Sequence, residues 1–340
     1  KNKSRKEKIK KKARLNLARD ATIAAAGVLA SYAIGSAYSR RKKKDKEKNV
    51  SEPRSVENYH RKLKEIQSEK EIKDRSALGF HAPGMFDKVI DLDNCHLQKN
   101  PSNTIRLSVK KFADKNKLSY FDIRNQNGLL RNLIIRTSST NDLMVLVQFF
   151  EDDKEKITLL MDHIKKSFSE ITSLLYIINN KANNTIYDQD IVCYNGKDYI
   201  TEEMDGLKFR INAKSFFQTN SEQAKVLYRK TKELAQIKNT DTVYDLYTGT
   251  GTIAQYIADA AKKVIGIESV DDAIKSAIKN AEINNIKNCS FFTGDMKKIF
   301  TEEFITKNGK PDIIITDPPR DGMHKDVVKQ ILKIKPTRIV

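Results

Sequence analysis

The carboxy-terminal hundred residues of this 340-residue chain predict an α/β architecture, a parallel sheet with helices on both faces. Three observations predict it. From Asp241 onward short apolar runs alternate with helical stretches, the pattern of strand–helix–strand repeats. The first run opens into a glycine-rich loop, Asp245-Leu-Tyr-Thr-Gly249-Thr-Gly251-Thr252, before a helix. Hydrophobic residues make up 39% of the chain, enough to fill ordinary cores and to exclude a wholly disordered polypeptide. The expected strands are Thr242–Tyr247, Lys263–Glu268, Cys289–Thr293 and Asp312–Thr316, with a fifth starting at Arg338.

The amino-terminal elements read differently. Residues 1–50 hold 17 Lys/Arg against 4 Asp/Glu, a net of +13 out of the chain's +19, so the basic character lies largely in a tail. The remaining +6 suits a polyanionic partner without requiring one. Within that tail, residues 21–38 are uncharged, a length at the threshold of a membrane span but rich in Ala, Gly and Ser. Membrane association through this segment and an Ala-rich helix in an RNA-touching tail are both open readings. Residues 51–75 are a highly charged linker or exposed helix.

Residues 76–215 read as an α+β module. Val89-Ile90-Asp91-Leu92 has strand alternation, 101–116 looks helical, and Leu129–Arg136 and Leu143–Phe150 form two apolar runs around a polar turn. An amphipathic helix over 152–168 and a buried strand over Leu174–Ile178 follow. Asn195-Gly196 and Asp205-Gly206 are hairpin signals within 185–213. Arg131 and Arg136 are candidates for RNA contact or for a solvated strand edge. A helix over Ser221–Leu234 starts at an Asn220 or Ser221 cap. Domain boundaries are therefore drawn at 1–50, 51–75, 76–215 and 216–340. Three separated cysteines, Cys95, Cys193 and Cys289, with no Cys-x-x-Cys pair, argue against a disulfide scaffold or a self-contained metal site.

The candidate site lies at the carboxyl ends of the predicted strands. Glycines in the first loop let the backbone turn sharply and approach a ligand. Glu268 ends the second strand, 17 residues after Gly251, where a carboxylate can accept both hydroxyls of a ribose; alternatively it caps the next helix. Asp295, in Thr-Gly-Asp-Met after the third strand, is placed for an adenine amino group or as a helix N-cap. This order, without a full Gly-x-Gly-x-x-Gly, points to S-adenosylmethionine rather than a dinucleotide. Asp317-Pro318-Pro319-Arg320 would make a stiff loop beside the methyl group, with a cation where amino-methyltransferases usually carry an aromatic. Phe216-Phe217-Gln218 reads either as a cofactor or base contact, or as two core rings before a helix cap.

Together, FFQTN (216–220), DLYTGTGT (245–252), GIE (266–268), GD (294–295) and DPPRDGM (317–323) resemble the RNA uracil-C5 methyltransferases, with the closer likeness to the bacterial 23S rRNA enzymes, over about residues 76–340. The resemblance implies a class I S-adenosylmethionine-dependent methyltransferase fold, Rossmann-like and carboxy-terminally incomplete. It implies cofactor contacts at Gln218, Tyr247, Glu268 and Asp317, with Thr252 and Asp295 at the matching flanking positions. It also implies RNA as partner, a monomer and a cytoplasmic location. Uracil C5 is a weak nucleophile, so in that family a cysteine thiolate adds at C6, C5 takes the methyl group, and a base then removes the C5 proton. The family's nucleophile follows a strand like Arg338-Ile339-Val340, and neither it nor the later glutamate base is in this sequence. The chain by itself is thus expected to bind cofactor without completing transfer. Cys95 matches the last of four iron–sulfur cysteines in cluster-bearing relatives, but residues 1–75 contain no cysteine, so a cluster is not expected. Two other readings stay open: methylation of a base amino group on the same fold, and a non-catalytic RNA-binding or membrane-tethered protein.

Overall fold

The computed structural model describes residues 76–340. The expectations for the basic tail, its apolar run at 21–38 and the charged linker fall outside the described residues. Those described form two compact units, one of residues 76–132, 149–164 and 180–182, the other of 133–148, 165–179 and 183–340. The boundary drawn from sequence at 215/216 falls inside the second unit.

The first unit begins with an antiparallel hairpin, β1 (Gly79–His81) and β2 (Val89–Asp91), followed by α1 (Ser102–Lys115). The Arg106 guanidinium of α1 gathers the carbonyls of Leu78, Leu92 and Asp93. These are the ends of both strands, so one side chain ties helix to hairpin. Cys95, a buried free thiol, sits in the same corner, its N–H bonded to Asn103 Oδ1 at 2.8 Å. α2 spans Lys154–Ser167, and a four-stranded sheet, which belongs to the second unit apart from 130–132 and Phe149, takes the order β3 (Leu130–Thr137), β4 (Leu143–Phe149), β5 (Ser173–Ile178), β6 (Val192–Gly196).

A separate hairpin, β7 (Tyr199–Met204) and β8 (Leu207–Asn212), leads through a loop to α3 (Ser221–Ala235). Met204 faces Leu207, and Asp205 and Gly206 between them have φ of 48° and 87°, as a two-residue primed turn requires. The other hairpin expectation is corrected. Asn195-Gly196 does not join two paired strands, because β6 pairs with β5 and β7 pairs with β8. Gly196 is there because a Cβ would lie 2.1 Å from the Thr172 carbonyl oxygen, so the dipeptide marks a close backbone approach instead.

The α/β part is a five-stranded parallel sheet in the order β11-β10-β9-β12-β13. Its strands are β9 (Thr242–Leu246), β10 (Lys263–Glu268), β11 (Cys289–Thr293), β12 (Ile313–Thr316) and β13 (Arg338–Ile339). The helices are α4 (Thr252–Tyr256), α5 (Asp271–Ile283), α6 (Met296–Ile299), α7 (Glu302–Asn308) and α8 (Lys325–Ile334). One sheet face, with Tyr244, Leu246, Ile265, Ile267 and Ile314, packs on Met296, Phe300, Ile305, Val327 and Ile331 of the α6–α8 side. The other, with Val243, Val264, Ile313 and Ile315, packs on Ala235, Ala254, Ile257 and Ala258. Both faces are buried, which is why these strands read as apolar runs without alternation. β9 ends at Leu246 and not at Tyr247, because Tyr247 turns into the left-handed region at φ 66°.

Candidate cofactor site

The order of strands makes a crevice. The chain leaves β9 toward β10 and β11 on one side and returns to β12 and β13 on the other, so β9 and β12 flank the switch point where α/β sheets bind ligands. Thr316 faces Leu246, and Ile267 faces Leu246 from the other side. The residues just beyond, Tyr247, Glu268 and Asp317, therefore emerge next to one another.

Tyr247 and Thr248 both donate backbone N–H groups to the Ile267 carbonyl, at 3.0 Å each, which pins the start of the loop to β10. Gly249, at φ 55°, has open space where a Cβ would stand, and its N–H donates to Glu268 Oε2 at 3.2 Å. Gly251, at φ 74°, is required for a different reason, since a Cβ there would lie 2.8 Å from Ala277 and Phe291. Glu268 Oε1 accepts from Ser269 N–H, the Ser269 hydroxyl and Val270 N–H. These bonds fix the carboxylate and leave acceptor capacity on Oε2. Asp295 caps α6, its Oδ1 accepting from Lys297 N–H at 2.9 Å. Burial, with the charges of Asp295 and Glu268, raises the Tyr247 hydroxyl above its ordinary range.

Asp317, in the loop after β12, is partly open to solvent, and desolvation still raises its carboxyl. On α3, the Tyr228 hydroxyl is raised by burial and by the carboxylates of Asp317 and Asp245. The described contacts do not join the other two expected residues to this group. Gln218 is half-buried in the loop between β8 and α3. Thr252 is buried at the start of α4, its hydroxyl 3.2 Å from that of Thr250.

Asp245 is the site residue that sequence reasoning passed over. It is 1% exposed in the middle of the sheet. Its Oδ2 accepts from the Thr248 hydroxyl at 2.6 Å and from Ala254 N–H at 3.0 Å, so it braces both the glycine loop and α4. Its Oδ1 is buried with no partner. Burial, with the charges of Asp317 and Glu268, pushes the carboxyl up to about 7. The available signal was an acid inside the apolar run Thr-Val-Tyr-Asp-Leu.

The loop bearing Phe216–Asn220 is held at both ends. At its start, Arg136 donates from Nη1 to the carbonyls of Asn212, 3.2 Å, and Ser215, 2.9 Å. Asn212 Oδ1 accepts from Ser215 N–H and hydroxyl, and its Nδ2 donates to Ser276 Oγ on α5 at 3.2 Å. At its end, Asn220 caps α3, and Ser221 donates to Oε2 of the buried Glu202 at 2.8 Å. Between these anchors Phe217 packs into the core, whereas Phe216 is 54% exposed, so only one of the two rings is a core residue. Arg136 is thus half-buried, with its Nη1 spent on these two carbonyls. Arg131 is likewise engaged, 4.5 Å over the Phe121 ring and donating to the Lys181 carbonyl at 2.6 Å.

A second device missed from sequence holds the β7–β8 hairpin to the sheet. Asn280 on α5 and Asn284, the residue that caps its C-terminus one turn further on, meet Arg210 and Lys208, two apart on the free edge of β8. Each carboxamide accepts the backbone N–H at 2.8 Å, and each returns a donor to the same residue's carbonyl, at 3.4 and 2.9 Å. Four residues of helix and two of strand both advance about 6 Å, so the two side chains stand in for a neighbouring strand.

Fold and crevice define the α/β part as a class I, Rossmann-like methyltransferase domain, and residues 237–333 match the methyltransferase-domain family. The chain is 53% identical over 268 residues to a Porphyromonas gingivalis protein named an uncharacterized RNA methyltransferase, covering 78% of this chain and 58% of that protein. A Bacteroides thetaiotaomicron protein of the same name is 53% identical over 279 residues, covering 81% and 62%. Among solved structures, the Pyrococcus abyssi tRNA (uracil-54, C5)-methyltransferase in complex with S-adenosyl-L-homocysteine is similar at 30% identity with a TM-score of 0.62, covering 75% of this chain and 60% of that one. The chain thus spans about three fifths of the length of these relatives.

Proposed function

We propose that this chain binds S-adenosylmethionine in the crevice at the carboxyl ends of β9, β10 and β12, and that it serves the methylation of uridine C5 in RNA, with 23S rRNA as substrate. The observation that carries the cofactor reading is the glycine loop held against Glu268: Gly249 is open where a side chain would block a ligand, and its N–H fixes the carboxylate beside it. The orphaned Asp245 Oδ1 and the absence of any described cation paired with Glu268, Asp245 or Asp317 fit a ligand carrying positive charge. When bound, that cofactor supplies a methyl group on a positively charged sulfur. Glu268 Oε2 is then the acceptor for ribose hydroxyls and the free oxygen of Asp295 the acceptor for the adenine amino group. Phe216, exposed on a taut loop, offers a face for a nucleobase, while Pro318 and Pro319 stiffen the loop that carries Asp317. The uridine C5 reading rests on the motif set 216–323 and on the likeness to the uracil-C5 enzyme.

Calorimetry of the protein with S-adenosyl-L-homocysteine tests the first part. Wild type should bind, and Glu268→Gln should bind about 10–100-fold more weakly, the cost of losing hydrogen bonds to a charged acceptor. No binding by wild type sinks the cofactor reading. Nucleoside analysis of 23S rRNA from cells with and without the gene tests the second. Loss of 5-methyluridine is expected, and loss of an amino-methylated base instead would overturn it.

A further inference from the structure

Arg136 carries more charge than its described neighbours use. Arg136 is half-buried, and burial lowers its pKa below the ordinary arginine range. Both of its hydrogen bonds run from Nη1 to main-chain carbonyls, which satisfy donors without cancelling the charge. Among the described residues no carboxylate pairs with it, and its Nε–H and Nη2 donors take no partner. Other arginines of the same unit differ in degree: Arg229 forks onto Asp205, whereas Arg338, like Arg136, donates from Nη1 to two main-chain carbonyls, those of Leu234 and Ala235. A half-buried cation with an unused and accessible fork of donors is half of an ion pair. The position of the fork matters as well. Ser215, whose carbonyl Arg136 holds, immediately precedes the exposed Phe216 ring, and the Tyr187 hydroxyl, on a residue 53% exposed, acts on the same guanidinium.

We infer that Arg136 is a binding residue for an RNA backbone phosphate at the root of the Phe216 loop, the Nε–H and Nη2–H pair taking two phosphate oxygens. A guanidinium matches that geometry bidentately, and an anion there completes the charge that the carbonyls leave open. The same contact joins phosphate binding to loop position, since Nη1 holds the Asn212 and Ser215 carbonyls. The inference rests on the proposed RNA substrate.

The test is a salt titration of affinity for a single-stranded, uridine-containing RNA oligonucleotide, with wild type, Arg136→Gln and Arg136→Lys, beside calorimetry of each with S-adenosyl-L-homocysteine. Arg136→Gln keeps an N–H donor but loses the charge. It should bind RNA about tenfold more weakly, with a log–log salt slope shallower by about 0.7, one single-strand phosphate, and with cofactor affinity unchanged. Arg136→Lys should keep the slope. An unchanged slope and affinity in Arg136→Gln overturns the inference and leaves Arg136 as a loop tie. Loss of cofactor affinity with RNA binding intact also overturns it, and assigns the missing anion to the cofactor's carboxylate. Wild type that binds cofactor but no RNA refutes the proposed substrate itself. If Arg136→Gln does not fold, the Arg136 Nε–H NMR signal of wild type, assigned through Arg136→Lys, decides: a shift on adding RNA supports the contact, and no shift sinks it.

Discussion

Asparagine at Asp245 should stabilise the protein in a pH-dependent way. The wild-type carboxyl is buried, and the groups it interacts with electrostatically are Glu268 on β10, Asp317 in the loop after β12, Cys289 on β11 and Tyr228 on α3, none of them cationic. Its pKa rises from 3.8 to about 7. Below about pH 4 both folded and unfolded states hold the proton, and the group costs nothing. Between about 4 and 7 the unfolded chain releases the proton while the folded state keeps it, so stability falls as pH rises, and above 7 the loss is complete. Roughly three pH units at about 1.4 kcal/mol each give about 4 kcal/mol, of which about 2 kcal/mol develops between pH 5 and 7. Asparagine has no proton to lose, and its carbonyl can still accept from Ala254. Urea denaturation of wild type and Asp245→Asn across pH 5 to 8 measures the difference, in which most other titrations cancel. A gap that widens by about 2 kcal/mol between pH 5 and 7 and levels by pH 8 is expected. A gap that stays constant from pH 5 to 8 would refute a buried acid with a raised pKa.

Asn280→Leu should cost about 2–4 kcal/mol in denaturant unfolding, since it strands the Arg210 N–H and carbonyl on β8, and hydrogen exchange of the Arg210 amide should accelerate; equal protection in the variant would count against the side-chain ladder. Gly266→Ala puts a Cβ 2.6 Å from the Phe291 ring and 3.0 Å from Thr248, so a loss of about 1–3 kcal/mol and weaker cofactor binding are expected from thermal unfolding and calorimetry. Asp205 is held at about 2 by hydrogen bonds from Arg229 and Tyr256. The stability it contributes is present above about pH 4 and is lost as pH falls toward 2, and because the pair is partly exposed Asp205→Ala should cost only about 1 kcal/mol at neutral pH, shrinking in acid.

What was legible in the sequence is what local chemistry imposes. Apolar runs of the right length could only be strands buried on both faces, and β10 and β11 begin and end where the pattern put them. The order of Gly249, Gly251, Glu268 and Asp317 located the crevice, because side chains at the carboxyl ends of parallel strands converge whatever the loops do. The Asp205-Gly206 turn was equally plain, since both positions need positive φ. The failures have one cause. Asn195-Gly196 has the same local preference, but pairing is a tertiary choice, and β6 found its partner in β5. Asn280 and Asn284 looked like ordinary helix residues until β8 was laid against them, 70 to 76 residues away in sequence. Arg136 could not be told from a surface cation, because its burial and its bonds to Asn212 and Ser215 come from segments far along the chain. The charge state of Asp245 belongs here too: the sequence names the acid, but only the sheet that closes around it removes the water and brings Glu268 and Asp317 close enough to raise it.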